Sequence, residues 1–176
     1  MNLIVGGSIW LVAVLAVCLV AAAAEDAIRL RISNITCVAV LVAGVAAMAT
    51  RGFPAELWQN GVVFALFLAL GTLAFAARAL GGGDIKLLAA LGLWMSLSGA
   101  VWLLAAVFIS GGVLAVIFIM AGLLRSHAGE SSGKHGKTGI PYGLAIVAGA
   151  SMVFAAQIGA FGAKPEKPFT VRPFIK

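Results

Sequence analysis

The sequence predicts an all-α integral membrane protein with six transmembrane helices. Hydrophobic residues make up 62% of its 176 residues and charged residues only 10%, whereas a soluble domain averages about 45–50% and about 25%. The mean hydropathy is +1.12. A soluble domain of this size could not bury so much apolar surface, which excludes a soluble enzyme, a disulfide scaffold and a disordered chain.

The spacing of the charges also predicts this fold, because it leaves five long stretches without Lys, Arg, Asp or Glu. A transmembrane helix needs about 20 apolar residues to cross about 30 Å of hydrocarbon, so four of the stretches fit one helix each. The fifth, residues 87–124, would form a helix of about 57 Å and is therefore divided near Ser96–Gly99. The helices belong to a single domain, 1–163, before an exposed tail, 164–176; they are predicted at about 3–24, 34–50, 57–78, 84–97, 100–124 and 139–161.

The distribution of Lys and Arg predicts the orientation of these helices. Seven of these residues lie in the alternate loops 25–31, 78–86 and 125–137, whereas Arg51 stands alone in the loops of the opposite side. The positive-inside rule places the three richer loops in the cytoplasm. The tail carries four further positive charges on the outer side, so five spans with a cytoplasmic tail are the alternative. The loops and the tail account for the net charge of +6, so this charge does not require a nucleic-acid partner, and none is expected.

Two aspartates, Asp26 and Asp84, are the candidate functional residues. Asp26 ends the first predicted span and Asp84 begins the fourth, so the alternation of the helices places both at the cytoplasmic boundary of the bilayer. Acidic groups this close to hydrocarbon are costly and are functional candidates by default. Each also has a structural interpretation: Asp26 as a boundary charge neutralised by Arg29 or Arg31, and Asp84 as a helix N-cap after three glycines.

Paired carboxyl groups at a membrane boundary suit an aspartic protease. Two carboxyls a few Å apart cannot easily both ionise, so one of them keeps its proton. The ionised carboxylate takes a proton from water, while the protonated carboxyl polarises the scissile carbonyl and later protonates the leaving amine. The pair titrates as a unit, so neither role is assigned to one aspartate.

Other polar and small residues have structural interpretations. Cys18 and Cys37 lie in predicted spans without metal-ligand spacing, and we expect two buried thiols and no metal site. No cofactor is expected. Small residues spaced four apart predict close helix packing in a membrane, at Ala145 with Gly149 and at Ala155 with Gly159.

Three segments together resemble the type IV prepilin leader peptidase family. Gly81–Lys86 reads GGGDIK and fits the GxGD motif of membrane aspartic proteases, and Ile140–Gly143 is similar to the family's Pro-Tyr-Gly segment. Asp26–Asn34 is similar to its first-aspartate segment, although Ser33 stands where the family usually has Pro. The resemblance covers about residues 1–160 and is strongest to the short form that serves tight-adherence (Flp-type) pili.

This resemblance implies a peptidase that removes the leader from prepilins at the cytoplasmic face of the bacterial inner membrane. The cut falls after a Gly, just ahead of the hydrophobic helix of the pilin. Asp26 and Asp84 correspond to the catalytic pair, and Gly81 and Gly83 to the motif glycines with backbone roles. Lys86 also matches, and contact with the leader or a phospholipid is one interpretation of it.

The implied partners are the prepilin substrates and the lipid bilayer. The larger family members carry a cytoplasmic domain with paired cysteines, and some of them also N-methylate the new pilin terminus. This sequence leaves no room for that domain and has no CxxC pair, which calls an N-methyltransferase activity into question. The glycine-rich loop 78–86 is predicted to move when it admits the leader.

Two other classes of function fit boundary carboxylates. One is a small proton-coupled transporter, and the other is a non-catalytic subunit of a pilus or secretion assembly. Transporters usually contain internal repeats and ionisable residues near mid-membrane. Residues 1–80 and 81–160 show no repeat, and no predicted span carries a charge in its interior. A subunit without activity could retain both aspartates, so cleavage of a prepilin is the observation that separates these classes.

Overall fold

The uncharged stretches form helices in the computed structural model, which describes residues 3, 8–52, 57–127 and 142–162. The regular structure of these ranges is all helical, which confirms the predicted fold class. The tail 164–176 and most of the loop 125–137 lie outside the described residues. Within the described ranges, six helices follow one another: α1 (Ile9–Arg29), α2 (Asn34–Ala49), α3 (Trp58–Ala76), α4 (Gly82–Gly92), α5 (Leu97–His127) and α6 (Tyr142–Gly162).

Four of the helices, α1, α3, α5 and α6, are long and apolar enough to cross a membrane. The other two are shorter: α2 has 16 residues and α4 has 11. At 1.5 Å per residue they rise about 24 Å and about 16 Å, less than the hydrocarbon thickness of about 30 Å. Helix α4 is therefore too short to cross the hydrocarbon by itself, and six complete spans stay a prediction.

The break in the long apolar stretch comes earlier than the sequence predicts. We expected one helix to end at residue 97 and the next to begin at 100, but α4 ends at Gly92 and α5 begins at Leu97. Two side-chain hydrogen bonds hold the turn between them. Asn60 of α3 donates from Nδ2 to the carbonyl of Leu93 at 2.9 Å, and Trp94, a fully buried residue of the turn itself, donates from Nε1 to the carbonyl of Val40 in α2 at 3.2 Å. The first bond satisfies a backbone carbonyl of the buried turn, and the second gives the buried indole N–H a partner.

Helix α4 lies at the centre of the bundle and packs against α2, α3 and α6. Every residue from Leu87 to Ser96 is buried, as expected for a helix that is hydrophobic on all sides and enclosed by others. The large exposed side chains lie on the outer helices. Along the second half of α5 they include Val116, Ile119 and Leu123, each more than half exposed, which is the pattern of a surface that faces lipid.

Close packing between helices confirms one of the two predicted small-residue pairs. A Cβ at Gly149 would lie 2.7 Å from the backbone nitrogen of Val107, so α5 and α6 meet almost backbone to backbone. Ser110 of α5 donates from its hydroxyl to the carbonyl of Ala145 at 2.7 Å beside this contact. The other pair was predicted wrongly, because a Cβ at Gly159 would meet nothing within 4 Å.

The two cysteines differ in their surroundings, although both are free thiols. Cys37 is buried, as expected, and its Sγ lies 3.6 Å from the carbonyl oxygen of Gly83. Cys18 is only partly buried, so the expectation of a second buried thiol was wrong. Its position on α1, an outer helix, leaves one side of the residue open.

Candidate active site

Asp26 lies in the last turn of α1 and is 4% exposed. Its carboxylate Oδ2 accepts a hydrogen bond of 3.0 Å from the backbone N–H of Leu144, in the first turn of α6. The N–H groups of a first helical turn have no partner within the helix, and a carboxylate there is also favoured by the helix dipole. The boundary aspartate of the sequence is therefore not a solvated surface charge but a buried group that joins α1 to α6.

Gly143 leaves the space that the Asp26 carboxyl occupies. A Cβ at this position would lie 2.8 Å from both Cγ and Oδ2 of Asp26, and 2.7 Å from Cδ1 of Ile32. Real Cβ atoms essentially never approach other heavy atoms so closely, so a larger residue at position 143 would displace the Asp26 carboxyl and the end of the Ile32 side chain. This contact gives a physical reason for the last residue of the Pro-Tyr-Gly segment; Ile140 and Pro141 lie outside the described residues.

Asp84 lies in the first turn of the central helix α4, whose N-cap is Gly81. Its side chain is half-buried. Burial raises the pKa of the Asp84 carboxyl to about 6, the charge of Asp26 acts in the same direction, and a backbone hydrogen bond from Gly81 opposes both. The interpretation of Asp84 as an N-cap was therefore wrong, because Gly81 caps α4 and Asp84 follows within the first turn, where the charge of Asp26 acts on its carboxyl.

The three glycines before Asp84 differ in the space around them. A Cβ at Gly81 would lie 2.8 Å from Oδ2 of Asp84, and one at Gly83 would lie 3.0 Å from the backbone oxygen of Ile32. At Gly82 the nearest atom would be Cε2 of Phe75 at 3.5 Å, an ordinary van der Waals contact. The first and third glycines of the motif are therefore needed for close approach, and the second is not.

The same geometry changes the interpretation of the loop 78–86. Gly82 and Gly83 are already part of α4, and Gly81 has an ordinary φ of −73°. Among the described glycines only Gly52 has a positive φ. The glycine run thus begins a helix that packs closely against the α1–α2 turn, and its composition no longer supports a movable loop.

Glu25 is a residue of this site that the sequence analysis did not single out. Its Oε2 accepts hydrogen bonds from the backbone N–H of Ser33 at 2.8 Å and from the hydroxyl of Thr36 at 3.1 Å. Ser33 is in turn the N-cap of α2 and accepts from the N–H groups of Ile35 and Thr36. The turn between α1 and α2 is held by these bonds. Proline at position 33 would lack the N–H that binds Glu25, which explains why serine suits this chain.

Lys86 makes a contact within the protein. Its Nζ donates to Oδ1 of Asn34, the first residue of α2, at 2.9 Å, and both side chains are exposed. This hydrogen bond joins the beginnings of α2 and α4. The expected contact with a leader or a phospholipid stays a prediction.

The predicted site residues therefore converge from distant parts of the chain. Asp26, the first turn of α4 and the first turn of α6 all border Ile32, which touches Gly83 on one side and Gly143 on the other. In the described part of the chain, no group of three His, Cys, Asp or Glu side chains could hold a metal ion. The chemistry that this arrangement offers is that of two carboxyl groups which interact electrostatically.

Comparison with known proteins shows the family of this chain. A family model described as "Type IV leader peptidase family" matches residues 13–125, a range that contains Asp26, the glycine run, Asp84 and Lys86. No match was found among curated proteins or among solved structures. Since the matched range covers more than half of the sequence, the chain belongs to the type IV leader peptidase family.

Proposed function

We propose that this protein is a membrane aspartic endopeptidase that removes the leader peptide from Flp-like type IV prepilins. The family supports a leader peptidase; the aspartic mechanism, the substrate and the side of the membrane are the proposal. Cleavage takes place at the cytoplasmic face of the bacterial inner membrane, after a Gly that precedes the hydrophobic helix of the pilin. The observation that carries the proposal is that Asp26 and Asp84, on two different helices, are close enough for the charge of Asp26 to raise the pKa of Asp84, while Gly143 and Gly83 beside them both lie against Ile32.

In this mechanism the two carboxyl groups hold one proton between them. The ionised carboxylate removes a proton from a water molecule, and the water oxygen attacks the carbonyl carbon of the scissile bond. The protonated carboxyl donates a hydrogen bond to the carbonyl oxygen and then transfers its proton to the leaving amide nitrogen as the C–N bond breaks. The N–H of Leu144, which donates to Asp26, keeps that carboxylate oriented throughout.

An intact helix shields its peptide bonds, because every backbone group is already hydrogen-bonded within the helix. The substrate must therefore present an extended segment to the carboxyl pair. A site at the end of α1 and the beginning of α4, rather than in the middle of either helix, suits a bond that lies just outside a hydrophobic helix.

Co-expression with an Flp-type prepilin tests the proposal. We expect the wild-type protein to convert the prepilin to a shorter form on an immunoblot, and mass spectrometry to place the new N-terminus after a Gly. Asp26→Asn and Asp84→Asn should each abolish the conversion at an unchanged amount of membrane-inserted protein. The double variant should be scarcely worse than either single variant, because residues that act as one unit are not additive. Full cleavage by either single variant would contradict the aspartic mechanism.

A further inference from the structure

Asp84 separates two cavities of opposite character. On one side lies a polar cavity of about 360 Å³, lined by the turn Leu30–Ile32 and by the glycines that precede Asp84. On the other side lies an apolar groove of about 400 Å³ between α4, α5 and α6. Among the described residues, Asp84 is common to both linings.

The apolar groove has the length of a helix segment. On α5 its lining extends from Leu104 to Ala115, which corresponds to about 16 Å or three helical turns at 1.5 Å per residue. Gly111 and Gly112 lie on this wall, and a Cβ at Gly112 would meet nothing within 4 Å. In a membrane, where apolar surface alone does not drive helices together, such side-chain-free positions allow the close backbone contact that does.

The polar cavity offers a different surface. Arg31 and the glycines at the beginning of α4 line it. Because a guanidinium carries several donors and the N–H groups of a first helical turn have no partner within the helix, an extended peptide segment can find hydrogen-bond partners there. A lipid acyl chain could fill only the apolar groove, because it has no polar groups to place in the polar cavity. A peptide whose polar segment joins a hydrophobic helix fits both at once.

We propose that the hydrophobic helix of the substrate lies in the groove between α4, α5 and α6, while the segment before the cut lies in the polar cavity. The scissile bond then passes Asp84 where the two meet. This assignment rests on the proposed function and deepens it, because it fixes the direction in which the substrate crosses the site: leader toward Arg31, mature helix toward Gly112.

Two glycines of α5 form a matched pair for the test. Gly112 lines the groove and Gly122 lies ten residues further along the same helix, outside that lining; a Cβ at either one would meet nothing within 4 Å. Each is replaced by Ala, Leu and Phe, and the rate of prepilin processing in membranes is normalised to inserted protein. We expect the Gly112 series to lose activity progressively, at least tenfold for Gly112→Phe, and the Gly122 series to stay within twofold of wild type.

Photo-crosslinking supplies a readout that does not depend on the rate. A photoreactive residue at position 112 should capture the hydrophobic helix of the prepilin, and one at position 31 should capture the leader, as identified by mass spectrometry. Equal rates in the Gly112 and Gly122 series, or capture of the leader from position 112, would overturn the groove assignment while cleavage by the wild-type protein upholds the proposed function. Absence of cleavage by the wild-type protein would overturn both.

Discussion

The carboxyl group of Asp26 occupies the space that a side chain at Gly143 would need. The two residues are separated by most of the chain, yet a Cβ at position 143 would lie 2.8 Å from the Asp26 carboxyl carbon, and the next residue, Leu144, donates its N–H to the same carboxylate. Helix α6 thus begins against one of the two proposed catalytic aspartates. Gly143, in the first turn of the last helix, and Asp26, in the last turn of the first helix, therefore form one contact.

Replacement of this glycine tests the contact directly. Gly143→Ala should displace the Asp26 carboxyl and reduce prepilin processing at least tenfold, because the new Cβ would take the space that this carboxyl and the end of the Ile32 side chain occupy. Overpacking of this kind costs about 1–3 kcal/mol of stability, which thermal unfolding in detergent would measure. Gly159→Ala, on the same helix but without any neighbour within 4 Å of the new Cβ, is the control and should keep normal activity. Equal activity of the two variants would show that the Asp26 contact is dispensable.

The glycine run before Asp84 allows a graded comparison of three adjacent positions. We expect Gly82→Ala to be mild, since its Cβ would make only an ordinary contact with Phe75. Gly81→Ala and Gly83→Ala should lower activity at least tenfold, because their Cβ atoms would press on the Asp84 carboxyl and on the backbone of Ile32. Cleavage assays normalised to membrane-inserted protein measure all three. Small and equal effects would mean that the run serves only to begin the helix.

Glu25 is expected to act as a positioning residue through the turn between α1 and α2. Glu25→Gln keeps an oxygen that accepts from Ser33 and Thr36, so it should retain most activity. Glu25→Leu removes the acceptor and leaves the Ser33 N–H without its partner, at a cost of about 1–3 kcal/mol. The comparison of melting temperature and processing rate for the two variants measures this difference. Loss of activity in Glu25→Gln with an unchanged melting temperature would instead point to a chemical role for the Glu25 charge.

The pH dependence of stability reports on the environment of Asp84. Its pKa is raised from 3.8 to about 6, so the folded state favours the protonated carboxyl. The stability that this preference contributes is fully present below pH 3.8 and is lost as the pH rises through about 6. Asp84→Asn, which mimics the protonated form, should therefore melt at a higher temperature than the wild type at pH 7.5 and at nearly the same temperature at pH 4.

Thermal unfolding of purified protein in detergent at the two pH values checks this expectation. A wild-type protein that is more stable than Asp84→Asn at pH 7.5 would mean that the hydrogen bond from the Gly81 backbone stabilises the Asp84 carboxylate more than burial and the charge of Asp26 destabilise it. The pairing of Asp26 with Asp84 also predicts that peptidase activity declines at high pH, because one of the two carboxyls must be protonated to assist the leaving amine.

Much of this molecule could be predicted because its signals are local. Uncharged stretches of sufficient length form helices wherever water is excluded, since a helix satisfies its own backbone groups. The two aspartates could be selected in the same way, as acidic groups at helix ends near hydrocarbon. The motif around Asp84 also predicted which of its glycines lie in the tightest spaces.

Contacts between distant segments could not be predicted. The early end of α4 depends on Asn60 of α3, which donates to a backbone carbonyl of the buried turn, and on Trp94 of that turn, which donates to a carbonyl of α2. The role of Glu25 depends on the turn between α1 and α2, which brings Ser33 and Thr36 to the Glu25 carboxylate. Neither hydropathy nor charge spacing contains this information, because both describe single helices and not the neighbours that each helix meets.

Hydropathy, charge spacing and motifs are sufficient to identify an all-helical membrane protein with two candidate carboxylates. The burial of Asp26 against Gly143, and the position of Asp84 between a polar cavity and an apolar groove, became visible in the folded molecule. Burial and cavity shape arise from the packing of whole helices, in which a residue's neighbours are as many as 118 positions away. Composition and periodicity determine what a helix can bury, and packing determines what it does bury.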